Sequence, residues 1–417
     1  MTTSGWIILA VLLTSNALDW LARELNLRAL PKEAPEEHAD TPRQKQHDRR
    51  QAYIRARTRL HQGHGLCDHA LLLGFWFAGG LPWLDGIVRA GTGDPLVAGL
   101  LYTGALIFAG QIIDLPFALY ATFVLEARFG FNRTTGRTWA LDRLKGVILT
   151  VILGGPLLTG VLFLFTRFGP GFWWIGWISV ACFLLLVQFV APIWLLPLFN
   201  RFSPLPEGEL KTLLLEYARA VNFPVTEIVV MDGSRRSTKA NAFFTGFGRF
   251  RRIVLFDTLV QGCAPLELRA VLAHEVGHWR QHHLLESLLL GILNLGLMFY
   301  LLSWCLTSPT LYQAFQVEAM SVHVGLVIFA LLAAPVGMVI SPWIKWRSRQ
   351  NEYAADRFAV TTCHAGEALV DALKKLAQDH LAHPTPHPLY VFLNDAHPPL
   401  AARIASIRRA MGEFVST

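Results

Sequence analysis

Apolar residues gather into seven long stretches, near 5–19, 69–90, 97–122, 146–166, 172–198, 285–306 and 323–344. A helix of about twenty apolar residues matches the hydrocarbon core of a bilayer, so each stretch predicts a membrane span. The first is the shortest and ends in Asn16 and Asp19, which leaves a cleaved leader as its rival reading. Against that reading, no basic residue precedes it and no small-residue cleavage site follows. The pattern divides the chain into 1–199 (five spans and their loops), 200–284 (polar), 285–344 (two spans) and 345–417 (polar).

Within the first polar segment, Pro204, Pro206 and Gly208 mark a turn. Leu210, Leu213, Leu214, Tyr217, Ala218 and Val221 then recur at helical spacing. Two β-like runs, 227–231 and 252–256, flank residues 241–250. The charged, proline-containing stretch 31–50 reads as a loop or a short amphipathic helix at the membrane surface.

Charge follows the same division. Lys and Arg are absent before Trp6, then number ten between Arg23 and Arg59. The next connection has only Arg89, the third has Arg128, Arg133, Arg137, Arg143 and Lys145, and the fourth only Arg167. The polar segments are rich in arginine, while 307–322 has no basic residue. Basic loops stay on the cytoplasmic side, so the N-terminus is expected outside and the C-terminus in the cytoplasm. Both polar segments then face the cytoplasm, separated only by a helical hairpin, and can meet as one split domain.

Composition agrees: 53% of residues are hydrophobic and 16% charged, where a soluble protein has about 25% charged. The five cysteines (Cys67, Cys182, Cys263, Cys305 and Cys363) are scattered and give no disulfide framework. The net charge of +7 is accounted for by topology and an anionic bilayer surface, and no basic module for nucleic acid is evident.

The chemistry centres on His274-Glu275-Val276-Gly277-His278, on a helix expected to start at Pro265. Residues four apart share a helix face, so both imidazoles can bind one Zn²⁺ while Glu275 reaches a water beside it. Apolar neighbours (Val271, Leu272, Val276 and Trp279) point to a buried helix, where unpartnered imidazoles would be costly. Glu352 in the second polar segment is the candidate third ligand. Asp356, one helical turn on, can accept from the outer nitrogen of a ligand histidine and fix its tautomer. His397, held by Pro398 and Pro399, is a candidate donor to the oxyanion formed at a hydrolysed carbonyl, and Arg403 follows on a short helix. Asp114, Gln111, Gln188 and Asn294 fall at membrane depth, facing an interior cavity or hydrogen-bonded in packing.

These residues resemble the type I CAAX prenyl proteases, integral-membrane zinc metallopeptidases. The resemblance extends to Phe129-Gly130-Phe131-Asn132, Ala191-Pro192, 203–208, Asn241-Ala242 with Gly246, 252–259, Lys374 with Leu376, and His397-Pro398-Pro399-Leu400 with Arg403. It implies a mainly α multi-pass membrane protein, seven transmembrane helices forming a barrel around an aqueous chamber. A gluzincin-like zinc protease domain with a small β element completes it. It also implies one zinc ion on His274, His278 and Glu352, with Glu275 as general base. His397 and Arg403 would contact the substrate or transition state, and Asn241 and Ala242 would be an edge pairing with the substrate backbone. The family removes three C-terminal residues after a prenylated cysteine, so the implied partners are a peptide or protein substrate, possibly prenylated, and the lipid bilayer. Arginine outnumbers lysine 29 to 8, which favours a bacterial inner membrane over an endoplasmic reticulum.

Two rival readings stay open at this point. A broad quality-control protease of the HtpX type would use the same residues. A transporter or scaffold with a structural zinc would need a fourth protein ligand, and none stands out. An intramembrane protease of the site-2 type fits poorly, because Glu267, Arg269, Arg280, Gln281 and His282 flank the motif.

Overall fold

The computed structural model describes residues 2–31, 42–245 and 251–415. Gly246 and most of the 31–41 stretch therefore lie outside the described residues. Helices α1 (Thr3–Arg28), α2 (Pro42–Phe77), α3 (Gly80–Gly91), α4 (Pro95–Glu126), α5 (Gly136–Phe168) and α6 (Pro170–Phe199) form the first half. The second half begins with strands and short helices, then adds the long helices α10 (His283–Leu306) and α12 (Val322–Cys363). Six helices are long and apolar enough to cross a membrane, and α2 with α3, bent by 66°, supplies a seventh crossing when counted as one.

That bend falls within the 69–90 stretch expected to be one span. Gly79 adopts φ +71°, the left-handed region open to glycine. A Cβ on Gly80 would fall 2.3 Å from the Phe75 ring, so the turn admits no side chain there. The helix exits across a glycine pair that hydropathy alone cannot distinguish from the rest of the run.

A helix packed on one side buries a stripe about 100° wide, over a quarter of its residues. In the six spans only 11–22% of each apolar window is buried. Most of the apolar surface of the spans therefore faces outward, as it does in helices clothed by lipid. The polar residues at membrane depth meet partners or cavities. Asp114 accepts from His64 at 2.9 Å, Gln111 lines a cavity of about 510 Å³, and Gln188 with Asn294 lines another of about 420 Å³.

The polar segments build one unit. Strands β1 (Phe202–Pro204), β2 (Val225–Met231), β3 (Ala242–Thr245) and β4 (Arg251–Phe256) form a sheet in the order β1-β2-β4-β3. β2 and β4 run parallel, β1 is antiparallel to β2, and β3 is antiparallel to β4, with Ala242 opposite Leu255. Pro204, expected in a turn, instead closes the edge strand β1, where a missing N–H does no harm. Helix α7 (Glu209–Ala220) follows as the spacing of its leucines predicts. α8 (Asp257–Gly262) leads into α9 (Pro265–Arg280), which carries the motif. Beyond α11 (Pro309–Ala314) and α12 come α13 (Gly366–Asp379), α14 (Pro388–Asn394) and α15 (Leu400–Val415).

One hydrophobic core takes residues from both segments: Leu214, Ile253, Leu268 and Val276 from the first, Val360, Val370 and Ile407 from the second. The Phe129-Gly130-Phe131-Asn132 turn ties the membrane half to it. Phe129 and Phe131 pack edge-on against Tyr53, both at 5.1 Å, and Asn132 bridges to Ser237.

Candidate active site

Helix α9 starts where its sequence dictates. Pro265 occupies the first turn, and Glu267 accepts from the Ala264 N–H at 2.7 Å, satisfying an otherwise orphaned donor. Its inner face is buried from Leu268 to Gly277, and that face carries His274. Helix α12 crosses directly over it. A Cβ on Gly277 would stand 3.1 Å from both the Cα and the carbonyl oxygen of Ala355, so glycine is what permits this approach. Ala355 lies between Glu352 and Asp356 on α12, and the crossing sets those two carboxylates against the two imidazoles.

The candidate ligand atoms converge. His274 Nε2 lies 3.2 Å from His278 Nε2, His278 Nε2 lies 3.3 Å from Glu352 Oε1, and His274 Nε2 lies 3.6 Å from Glu352 Oε2. Bonds of about 2.0–2.1 Å at tetrahedral angles put neighbouring zinc ligands about 3.4 Å apart, so the observed spacings fit such a cation. Glu352 Oε2 is buried and makes no hydrogen bond among the described residues, its near neighbours being Arg403 Nη1 at 3.2 Å and His274 Nε2 at 3.6 Å, which leaves its lone pairs open toward the imidazoles.

The surrounding groups fix these side chains. His274 Nδ1 faces Asp356 Oδ1 at 2.9 Å, so it carries the proton and Nε2 presents its lone pair. Burial opposes charge on His274, but Asp356 and Glu352 outweigh it and raise the imidazole pKa. Arg403, reaching in from α15, grips Asp356 with Nε at 2.9 Å and Nη2 at 2.6 Å, and its Nη1 lies 3.2 Å from Glu352. The guanidinium is thus buried and turned toward the ligand-bearing carboxylates. His397 Nε2 lies 3.4 Å from Glu352 Oε1, while its side chain stays 70% exposed at the mouth of the site. Glu275 makes no hydrogen bond or ion pair among the described residues, and burial raises its carboxyl pKa. Asn241 and Ala242 sit at the start of β3, on the open edge of the sheet.

Two participants escaped the motif reading. Gly277 is an unspecified position of H-E-x-x-H, and spacing says nothing about which helix crosses it. His283, just beyond the motif helix, is buried, with Nδ1 3.1 Å from Nδ1 of His278. A tight turn through Gln281 and left-handed His282 brings it there. Its place five residues after His278 was the available signal.

Comparison with known proteins agrees with this geometry. Residues 25–201 match the family described as CAAX prenyl protease N-terminal, five membrane helices, and residues 204–411 match peptidase family M48. The CAAX prenyl protease 1 homolog of Arabidopsis thaliana is 36% identical over 350 residues, 82% of this chain and 81% of the relative. The CAAX prenyl protease 1 of Saccharomyces cerevisiae is 34% identical over 328 residues, 74% of this chain and 71% of the relative. The crystal structure of S. mikatae Ste24p superposes with a TM-score of 0.89 at 28% identity, covering 98% of this chain and 99% of that one.

Proposed function

The chain belongs to peptidase family M48, in its CAAX prenyl protease branch, a family of multi-pass membrane metalloendopeptidases, and from that membership we propose a zinc-dependent cut near the C-terminus of a peptide substrate. The observation that carries this reading is the spacing of His274, His278 and Glu352, with the unpaired Glu275 carboxylate beside them. When bound there, zinc supplies Lewis acidity, polarising a carbonyl and bringing the pKa of water toward about 7.

The chain's own residues do the rest. Glu275 takes the proton of the attacking water and hands it to the departing amine, a role suited to a carboxyl whose pKa is raised toward the working pH. His397, exposed at the mouth, donates to the oxygen on which negative charge develops. Asp356 holds the His274 tautomer, and Arg403 holds Asp356. An extended substrate adds to the open edge at Asn241 and Ala242 through main-chain hydrogen bonds. The natural substrates are C-terminal peptides of the CAAX kind, with the prenyl group taken into an interior between the spans. The Lys/Arg alternation supports an outside N-terminus and a cytoplasmic active site, and the arginine-rich composition supports a bacterial inner membrane.

The test pairs Glu275→Gln with two peptides of one sequence, farnesylated and bare. The variant should keep its zinc and lose cleavage, and the unsubstituted protein should prefer the farnesylated peptide. Full activity in Glu275→Gln would overturn the assignment.

A further inference from the structure

A cavity of about 450 Å³ lies beside His397, walled by α1, α2 and the chain from α13 to the start of α15. It falls within the 300–1,000 Å³ typical of ligand pockets. One end is formed by His397 and Pro398. Along another wall, His380 accepts a hydrogen bond from the Ala240 N–H at 3.1 Å, and Ala240 leads directly into Asn241 and β3. The cavity is thus flanked by the proposed oxyanion donor and by the root of the proposed substrate-pairing edge.

Part of its lining is basic. Tyr53, Arg57 and His61 recur every fourth residue along α2 and so share one helix face toward the cavity. Arg23 joins them from α1. Arg23 spends its Nε on Asp19 at 2.7 Å, which leaves its terminal nitrogens unpartnered. Arg57 has no ion pair and no hydrogen bond among the described residues. Across the cavity, Tyr390 lies within the field of both arginines. Asp395 is the one carboxylate in the lining. Arg23 is already paired with Asp19, whereas Arg57 is exposed at the cavity and has no ion pair among the described residues, so its guanidinium is available to an incoming anion.

We propose that this cavity receives the free α-carboxylate at the C-terminus of the peptide substrate, with Arg57 as its anchor and Arg23 assisting. The inference rests on the peptidase reading above and adds a ruler to it. Three extended residues span about 10 Å, so a peptide gripped by its terminal carboxylate presents a bond a fixed distance back to the site at His397. Arginine suits the task because its planar fork meets a carboxylate with two parallel hydrogen bonds.

The experiment measures binding of one peptide in two forms, C-terminal acid and C-terminal amide, to the zinc-loaded full-length Glu275→Gln protein. The acid should bind about tenfold or more tightly than the amide, the size expected of a charge-assisted pair. Adding Arg57→Gln should shrink that ratio to below about twofold, and Arg57→Lys should retain part of it. Zinc content of each variant reports that its fold survives. Equal binding of acid and amide by the protein carrying Arg57 would overturn the proposal, as it would if the basic lining held a lipid phosphate instead. Cleavage by the unsubstituted protein separates the two readings. Acid-selective binding without any cleavage keeps the carboxylate site and removes the peptidase assignment. Cleavage with equal binding does the reverse.

Discussion

Gly277 and Ala355 touch backbone to backbone: a methyl group on the glycine would lie 3.1 Å from the alanine's Cα and from its carbonyl oxygen. This contact fixes the distance between the helix bearing two imidazoles and the helix bearing two carboxylates. Gly277→Ala should push them apart and cost about 1–3 kcal/mol of stability, as overpacking does. Zinc content and peptide turnover should fall together. A variant with undiminished zinc affinity would show that the crossing tolerates the extra atom.

His283 stands behind His278 as Asp356 stands behind His274. With Nε2 of His278 aimed at Glu352, its Nδ1–H is left to donate to His283 Nδ1. His283→Leu should weaken zinc binding about 10–100-fold, the usual cost of losing an outer partner, and His283→Asn should recover part of it. Competition against a chelator measures both. Asp356→Asn should lose a similar factor and be less stable as well, because it takes from the buried Arg403 the carboxylate that grips it at two points and leaves only Glu352.

Removing the metal should abolish cleavage, and added zinc should restore it. Stripping should also lower the melting temperature, because an ion that binds only the folded state stabilises it by mass action. Unchanged melting with abolished cleavage would place the ion's contribution in chemistry alone.

Asp395 yields a pH-dependent prediction. Burial drives its pKa up to about 6, against the pull of Arg349 and Lys345. The folded state therefore keeps a proton that the unfolded chain sheds near pH 3.8, and stability falls as pH rises from about 4 to about 6. Asp395→Asn removes that loss. Its melting temperature should exceed the parent's at pH 7.5, by the equivalent of at most about 3 kcal/mol, and converge with it near pH 4. Equal melting at both pH values would refute the burial argument.

The parts of this architecture that depend on local pattern were legible from the chain. Span positions follow from apolar runs, α9 begins at Pro265 as expected, and Glu352 and Asp356 do lie one turn apart on one helix. What escaped depends on partners distant in sequence. The bend at Gly79 and Gly80 is the local exception, since the Phe75 ring that crowds Gly80 is near in sequence but hydropathy does not register it. Arg403 was implied by the family resemblance to contact the substrate or transition state. Its fixation on Asp356 arises from α15 docking against α12, which no local spacing announces. β1 was hidden because Pro204 reads as a turn until β2 is there to pair with it.

The shared core of the two polar segments also constrains biogenesis. His274 and His278 are made before the sixth and seventh spans, and Glu352, Asp356 and Arg403 after them. Val276 cannot find its neighbours Val360 and Ile407 until the intervening hairpin has been threaded and the chain has come back. A partly inserted chain thus has His274, Glu275 and His278 and lacks Glu352, Asp356 and Arg403. On the function proposed above, cleavage is expected only from a molecule whose membrane insertion is finished, a safeguard written into the order of the sequence.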